Sequence, residues 1–205
     1  MDSSSAPPPA PRPTRGEATR ERIVEIASRA LRRQGYAGVG VADVMRQAGL
    51  THGGFYAHFG SREALLAAAL ERAGRDTHAS MQRNIEASHA RGESVFRGVV
   101  EAYLADALLT RTEAGCIVAA VGSEMPRQSI ELQETSAERV RGLIKLIEQV
   151  LPAGAGRDQA AVVAATLVGT LQLARALGPN AQGKSMLAAT RQALIAQYDS
   201  PREKP

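Results

Sequence analysis

The sequence has no tryptophan, a single cysteine and few aromatic side chains, 3% of its 205 residues. A lone thiol, Cys116, cannot build a disulfide framework, so a cystine-stapled fold is excluded and a reducing cytoplasm is the expected setting. With so few rings the core must be filled by Ala, Leu and Val, within a hydrophobic content of 44%, and such residues favour helix. Alternation of apolar and polar residues is missing over any useful length, which argues against strands. No apolar run reaches the ~18–20 residues of a bilayer span, and the N-terminus has no apolar signal core, so no membrane association is expected. A nucleophile elbow, a phosphate-binding loop and paired catalytic carboxylates are missing too, and His78 and His89 have no partners at metal-ligand spacing. An enzyme, a bound cofactor and a metal are therefore not expected.

What is present is unevenly placed. Pro7, Pro8, Pro9, Pro11 and Pro13 crowd the first residues, and 1–13 reads as a disordered tail. Residues 1–62 hold nine arginines against five acidic side chains, and 63–205 hold sixteen charges of each sign. The whole net charge of +4 thus lies in the first third. That is either a head that binds a polyanion or a solvated, Arg-rich surface.

Helical periodicity then takes over. From Arg15–Ala18 onward, Ile23, Ile26, Ala27, Ala30 and Leu31 form one apolar face, stopped at Gly35. Val41–Gln47 is a second short helix with Val41, Val44, Met45 and Ala48 inward. Gly49 breaks the chain, and Thr51 is placed to cap a third short helix ending near Phe59-Gly60. Ser61, with Glu63 two residues on, opens a long helix. Further apolar stripes are Phe96, Val99, Val100, Tyr103, Leu104 and Ala107, then Val140, Leu143, Ile144, Ile147, Val150 and Leu151. Residues 158–177 are apolar almost all round and should be buried on several sides, and a last helix covers 184–198 with Leu187, Leu194, Ile195 and Tyr198 inward. The expected fold is all-α with about nine helices.

Two short helices joined by a Gly-containing turn, Ala48-Gly49-Leu50, are the sequence form of a helix-turn-helix. Gly49 supplies the positive φ of the reversal, and Leu50, Phe55 and Phe59 would anchor the second helix on the first. Thr19 to Leu70 carries Gly35-Tyr36, Ala48-Gly49, Phe55-Tyr56-Ala57-His58-Phe59 and Ser61-Arg62-Glu63-Ala64-Leu65. This stretch resembles the DNA-binding domain of the TetR/AcrR family. The family often has Lys-Gly-Thr early in its recognition helix, where this chain has His52-Gly53-Gly54. Base readout would then lean on Thr51, His52 and close backbone approach.

The resemblance implies a regulator of transcription with a DNA-binding domain over 14–62 and a ligand-binding and dimerisation domain over 63–205. It implies Arg20, Thr51, His52, Gly53, Gly54, Tyr56, His58, Ser61 and Arg62 at double-stranded operator DNA. Tyr56 and His58 would bond phosphate oxygens, which position the protein without reading sequence. Phe55 and Phe59 are expected in the core. A pocket for an unidentified small-molecule effector would draw on Met81, Phe96, Val99, Tyr103, Cys116 and Met125, each of which can equally be ordinary core. A homodimer would pair the last two helices with their symmetry mates through Leu167, Leu171 and Leu194. The expected function is a cytoplasmic repressor released from its operator by the effector. Cys116, after Gly115 at a helix start, is either a redox or electrophile trigger or a buried small hydrophobe.

Overall fold

The computed structural model describes residues 14–199, and the expected tail over 1–13 lies outside them. Regular structure among the described residues is helical throughout, with eight α-helices joined by turns and four short 3₁₀ segments. They are α1 Arg15–Gln34, α2 Val41–Gln47, α3 Arg62–Ala90, α4 Val95–Tyr103, α5 Ile117–Val121, α6 Ile130–Val150, α7 Arg157–Leu177 and α8 Ala181–Tyr198. A 3₁₀ helix, His52–Ala57, stands between α2 and α3.

Local chemistry sets the ends. Thr14 Oγ1 accepts from the Glu17 N–H at 3.2 Å while the Glu17 carboxylate accepts from the Thr14 N–H at 2.7 Å, a reciprocal capping box that opens α1. Gly35 closes α1 at φ 71°, in the left-handed region where a Cβ is disfavoured. Ser61 caps α3 by accepting from the Ala64 N–H at 3.0 Å. Between them, Gly49 takes φ 69°, and Leu50 N–H returns to Met45 O at 2.9 Å, so the chain reverses as the sequence implied.

The core is one continuous apolar cluster. Ile23, Val24, Ala27 and Leu31 of α1 are buried with Leu65, Leu66, Ala69 and Leu70 of α3, where the two helices pack together. The second half of α3 leaves that contact and packs on α4 and α6, while α7 packs between α6 and α8. One 29-residue helix thus runs from the N-terminal unit into the helical body. A second tie holds the two together. The Glu124 carboxylate accepts from the Tyr36 N–H at 3.0 Å, and Tyr36 Oη lies 3.0 Å from Ser136 Oγ. Since Ser136 donates to Leu132 O at 2.6 Å, the Tyr36 hydroxyl is the donor.

Several expectations are corrected. Ala107 sits exposed in a 3₁₀ turn after α4 ends, because the helix stops at Tyr103 and the stripe loses its register. Val140 is exposed as well. The helix over 158–177 does have the length and apolar content of a membrane span, against expectation, yet it is not buried on several sides. Leu167 and Leu171 are fully buried, whereas Val162 is 60% and Leu173 59% exposed. An all-round apolar sequence therefore splits here into an inner face and a free outer face.

A charge cluster ties α1 to α3. Arg32, buried to 5% side-chain exposure, gives Nη2 to Asp76 Oδ2 at 3.1 Å, and Arg72 Nε reaches Asp76 Oδ1 at 2.8 Å while also pairing with Glu21. Burial alone would raise the Asp76 carboxyl, but the hydrogen bonds from Arg72 and Arg32 overcome it and hold it below the usual aspartate range. The folded protein therefore binds this proton less tightly than the unfolded chain does. The resulting stability is complete above the unfolded aspartate value of about 3.9 and is lost as pH falls through the depressed folded value. Asp76→Asn is expected to cost about 1–2 kcal/mol at neutral pH, discounted for the exposed side of the carboxylate. Urea unfolding of both proteins should show that gap closing in strong acid; a gap unchanged with pH would mean that packing, not charge, holds this corner.

Candidate functional site

The exposed face of the helix-turn-helix is built on a buried aromatic anchor. Phe55 and Phe59 are 2% and 3% exposed and stack with centroids 5.7 Å apart, while the Tyr56 ring meets Phe55 edge-on at 5.3 Å. Both His58 N–H and Phe59 N–H return to Phe55 O, at 2.9 and 3.0 Å. With Phe55 inward, Tyr56 is turned outward, 71% exposed. Thr51, His52 and Gly53 are exposed beside it, and Gly54 is half-buried.

The expected α-helix from Thr51 is instead a 3₁₀ helix, and Thr51 occupies the N-cap position without a side-chain cap bond. Two glycines in the first turn each weaken an α-helix by about 1 kcal/mol, and the short 3₁₀ form needs fewer consecutive helical residues. The glycines differ in role. A side chain at Gly53 would meet open space, whereas one at Gly54 would touch Met45 and Thr51 at 3.7 Å. Gly53 therefore leaves bare backbone facing outward, where another surface could approach closely.

Arg62 was expected at a phosphate. Its Nε instead donates to Val39 O at 3.1 Å and its Nη2 to Tyr36 O, so it fastens the α1–α2 loop to the head of α3. Ser61 is likewise engaged, as the α3 cap. Arg20 lies with its guanidinium 4.7 Å over the Phe59 ring, a cation–π contact that ties α1 to the aromatic anchor. These three residues position the face as observed. Arg15, Arg22 and His58 line a groove with Leu50 and Gly49 along the α1 side of the turn. Arg22 escaped the sequence reading, since its proximity to His58 exists only once α1 crosses the turn.

A second feature lies in the body. A cavity of about 290 Å³ opens between α3, α5 and α6, with Met81, Cys116, Ile117, Val118, Leu143 and Leu146 as its apolar wall. Arg75, His78, Glu138 and Arg139 supply its polar edge. Cys116 also borders a neighbouring cavity of about 60 Å³ with Met81 and Tyr103. The Tyr103 hydroxyl is buried without a hydrogen-bond partner. Burial, then the nearby Cys116 thiol, push its pKa well up. Arg175, half-buried beside them, is lowered by burial and gives Nε to Leu108 O at 3.0 Å.

Of the expected pocket residues, Met81 and Cys116 line the larger cavity and Tyr103 the smaller one. Phe96, Val99 and Met125 are core residues at 2%, 0% and 6% exposure and line neither cavity. Arg139 and Gly142 were missed, although both lie on the α6 face that carries Leu143 and Leu146. The expected dimer residues Leu167, Leu171 and Leu194 are 0%, 0% and 6% exposed within a single chain. They hold α7 against its own neighbours. The free apolar side of α7 carries Val162, Leu173 and Leu177.

Residues 23–69 match the family model described as "Bacterial regulatory proteins, tetR family". The chain is 26% identical over 140 residues to the HTH-type transcriptional repressor NemR of Escherichia coli (strain K12), spanning 66% of this chain and 68% of that protein. Its fold is similar to the crystal structure of E. coli NemR in its reduced form, at a TM-score of 0.69 and 23% identity, covering 90% of this chain and 98% of that one. It is also similar to a TetR-family transcriptional regulator from Cytophaga hutchinsonii, at a TM-score of 0.74 and 17% identity, over 94% and 100% of the two chains.

Proposed function

We propose that the chain is a transcriptional regulator of the TetR family, whose members are DNA-binding proteins rather than enzymes, and that it is a cytoplasmic repressor that binds a two-fold operator as a homodimer. Residues 14–62 are the DNA-binding unit and 63–205 the effector and dimer body. The observation that carries this reading is the turned-out Tyr56 beside Thr51, His52 and Gly53, held in place by buried Phe55. In the bound complex Tyr56 and His58 bond phosphates, with Arg15 and Arg22 flanking His58, and the bare backbone of Gly53-Gly54 lies close to the duplex.

Release follows from the course of α3. Its first half packs on α1 and its residues Gly74 to Met81 wall the cavity. A molecule wedged between α3 and α6 favours a state in which α3 tilts and the two recognition elements of the dimer lose their common spacing. Selection of genomic duplexes by the full chain tests the proposal. An inverted repeat is expected, and enriched sequences without two-fold symmetry would contradict the dimeric reading.

A second reading makes Cys116 the trigger of a redox- or electrophile-sensing repressor. It is supported by the position of this thiol, buried between two cavities and close to the buried Tyr103 hydroxyl. A quinone entering the cavity would form a bond from carbon to Sγ, with the thiol proton passing to the quinone oxygen. Operator release by quinone or peroxide should then disappear in Cys116→Ser; release that persists unchanged removes this reading and leaves the non-covalent one.

A further inference from the structure

The larger cavity has a charged edge. Its charged lining comprises Arg75, Arg139 and Glu138, with His78 at the exposed mouth; Arg75 also reaches Glu21 of α1 at 4.0 Å. Arg139 is the more buried of the two cations. Its side chain is 23% exposed, and its Nε–H is buried with no acceptor. A buried donor left in that state is unfavourable unless something accepts from it. Glu138 holds only Nη2, at 3.1 Å, and is itself 53% exposed.

The fold makes room for this arginine. A side chain at Gly74 would fall 2.7 Å from Arg139 Nη1 and 2.8 Å from Cδ, so only bare backbone on α3 lets the guanidinium lie across the helix. On α6, Arg139, Gly142, Leu143 and Leu146 follow a three-to-four-residue spacing and share one face. A side chain added at Gly142 would meet nothing within 4 Å. The cavity therefore presents a cationic donor at its edge, an aliphatic wall beyond it, and open space over Gly142. Its volume is at the small end for ligand pockets.

We propose that this cavity takes a compact monocarboxylate with an apolar body. The carboxylate accepts from the Arg139 guanidinium at the cavity edge and the body lies against Met81, Ile117, Val118, Leu143 and Leu146. A carboxylate matches the planar fork of the Arg139 guanidinium, whose only carboxylate partner is the half-exposed Glu138. The assignment rests on the reading of this cavity as the effector site, and binding and release are measured separately for that reason.

Calorimetry on the full chain with benzoate, hexanoate and the corresponding neutral amides tests it. At least one acid should bind about tenfold or more tightly than its amide, the difference a charge-assisted hydrogen bond makes. Arg139→Gln should remove that preference, Arg139→Lys should restore part of it, and Gly142→Leu should block acids and amides alike. Equal binding of acid and amide, a preference surviving in Arg139→Gln, or no binding by any of the four would each overturn the assignment. Acids that bind through Arg139 without displacing a selected duplex would uphold the site and refute its role in release.

Discussion

Phe55→Ala is expected to lose about 3–5 kcal/mol of folding stability and, with it, measurable duplex binding, even though the ring is buried. The side chain is 2% exposed and touches both neighbouring rings of its segment. The 3₁₀ helix around it has two glycines and no side-chain cap, so little intrinsic preference keeps it ordered once the anchor is gone. Tyr56→Phe is the useful control. It leaves the ring stack and removes one hydroxyl that is already exposed, so stability should change by less than about 0.5 kcal/mol. Its duplex affinity should still fall severalfold through the lost phosphate bond, by roughly 1 kcal/mol. Chemical unfolding and duplex titration on the two variants separate holding the face from using it. A Phe55→Ala protein that binds as tightly as the parent would show that the anchor is dispensable.

Leu173→Asp should turn a dimer into a monomer and lower operator affinity by about 10²–10⁴-fold, the scale of linking two weak half-site contacts. Val162, Thr166, Gly169, Leu173 and Leu177 follow one another along α7 at spacings of four, three, four and four residues. Val162, Leu173 and Leu177 stand exposed, and Gly169 leaves open space above its backbone. A small-and-large apolar stripe of this kind fits against a second helix as ridges into grooves. Within one chain the substitution is harmless, since Leu173 is 59% exposed and surface changes stay within about 0.5 kcal/mol. Analytical ultracentrifugation of the purified variant reads the result. A dimer that persists, with operator affinity unchanged, would place the interface on another face.

The division between what the sequence disclosed and what it hid follows physical lines. Local rules showed through. Ile23, Ala27 and Leu31 declared the inner face of α1, and Gly35 and Gly49 carry the positive φ values their positions demanded. Phe55 and Phe59 went to the core as expected. Tertiary choices did not show. Leu171 and Leu173 are the same residue type two positions apart on α7, and only the packing of α7 against its neighbouring helices decides which is covered. Arg62 looks like a free cation in sequence, and its two carbonyl partners come from a loop that only the fold brings near. Arg139 reads as surface charge on an amphipathic helix. Its one detectable sign was its register, four and seven residues before Leu143 and Leu146. The third short helix stands where the sequence puts it, and its 3₁₀ form, with two glycines in the first turn, is a detail the pattern of apolar residues does not specify.

The N-terminal third is expected to grip duplex phosphates. The most direct test is the affinity of the full chain for a selected duplex, measured across a series of salt concentrations. Each phosphate neutralised contributes about −0.9 to the slope of log affinity against log salt. With Arg15 and Arg22 beside His58, and Tyr56 exposed, on each half of a dimer, a steep negative slope is predicted, shallower when Arg22 is replaced by Ala. Affinity that does not change with salt, or a slope that Arg22→Ala leaves untouched, would contradict the account.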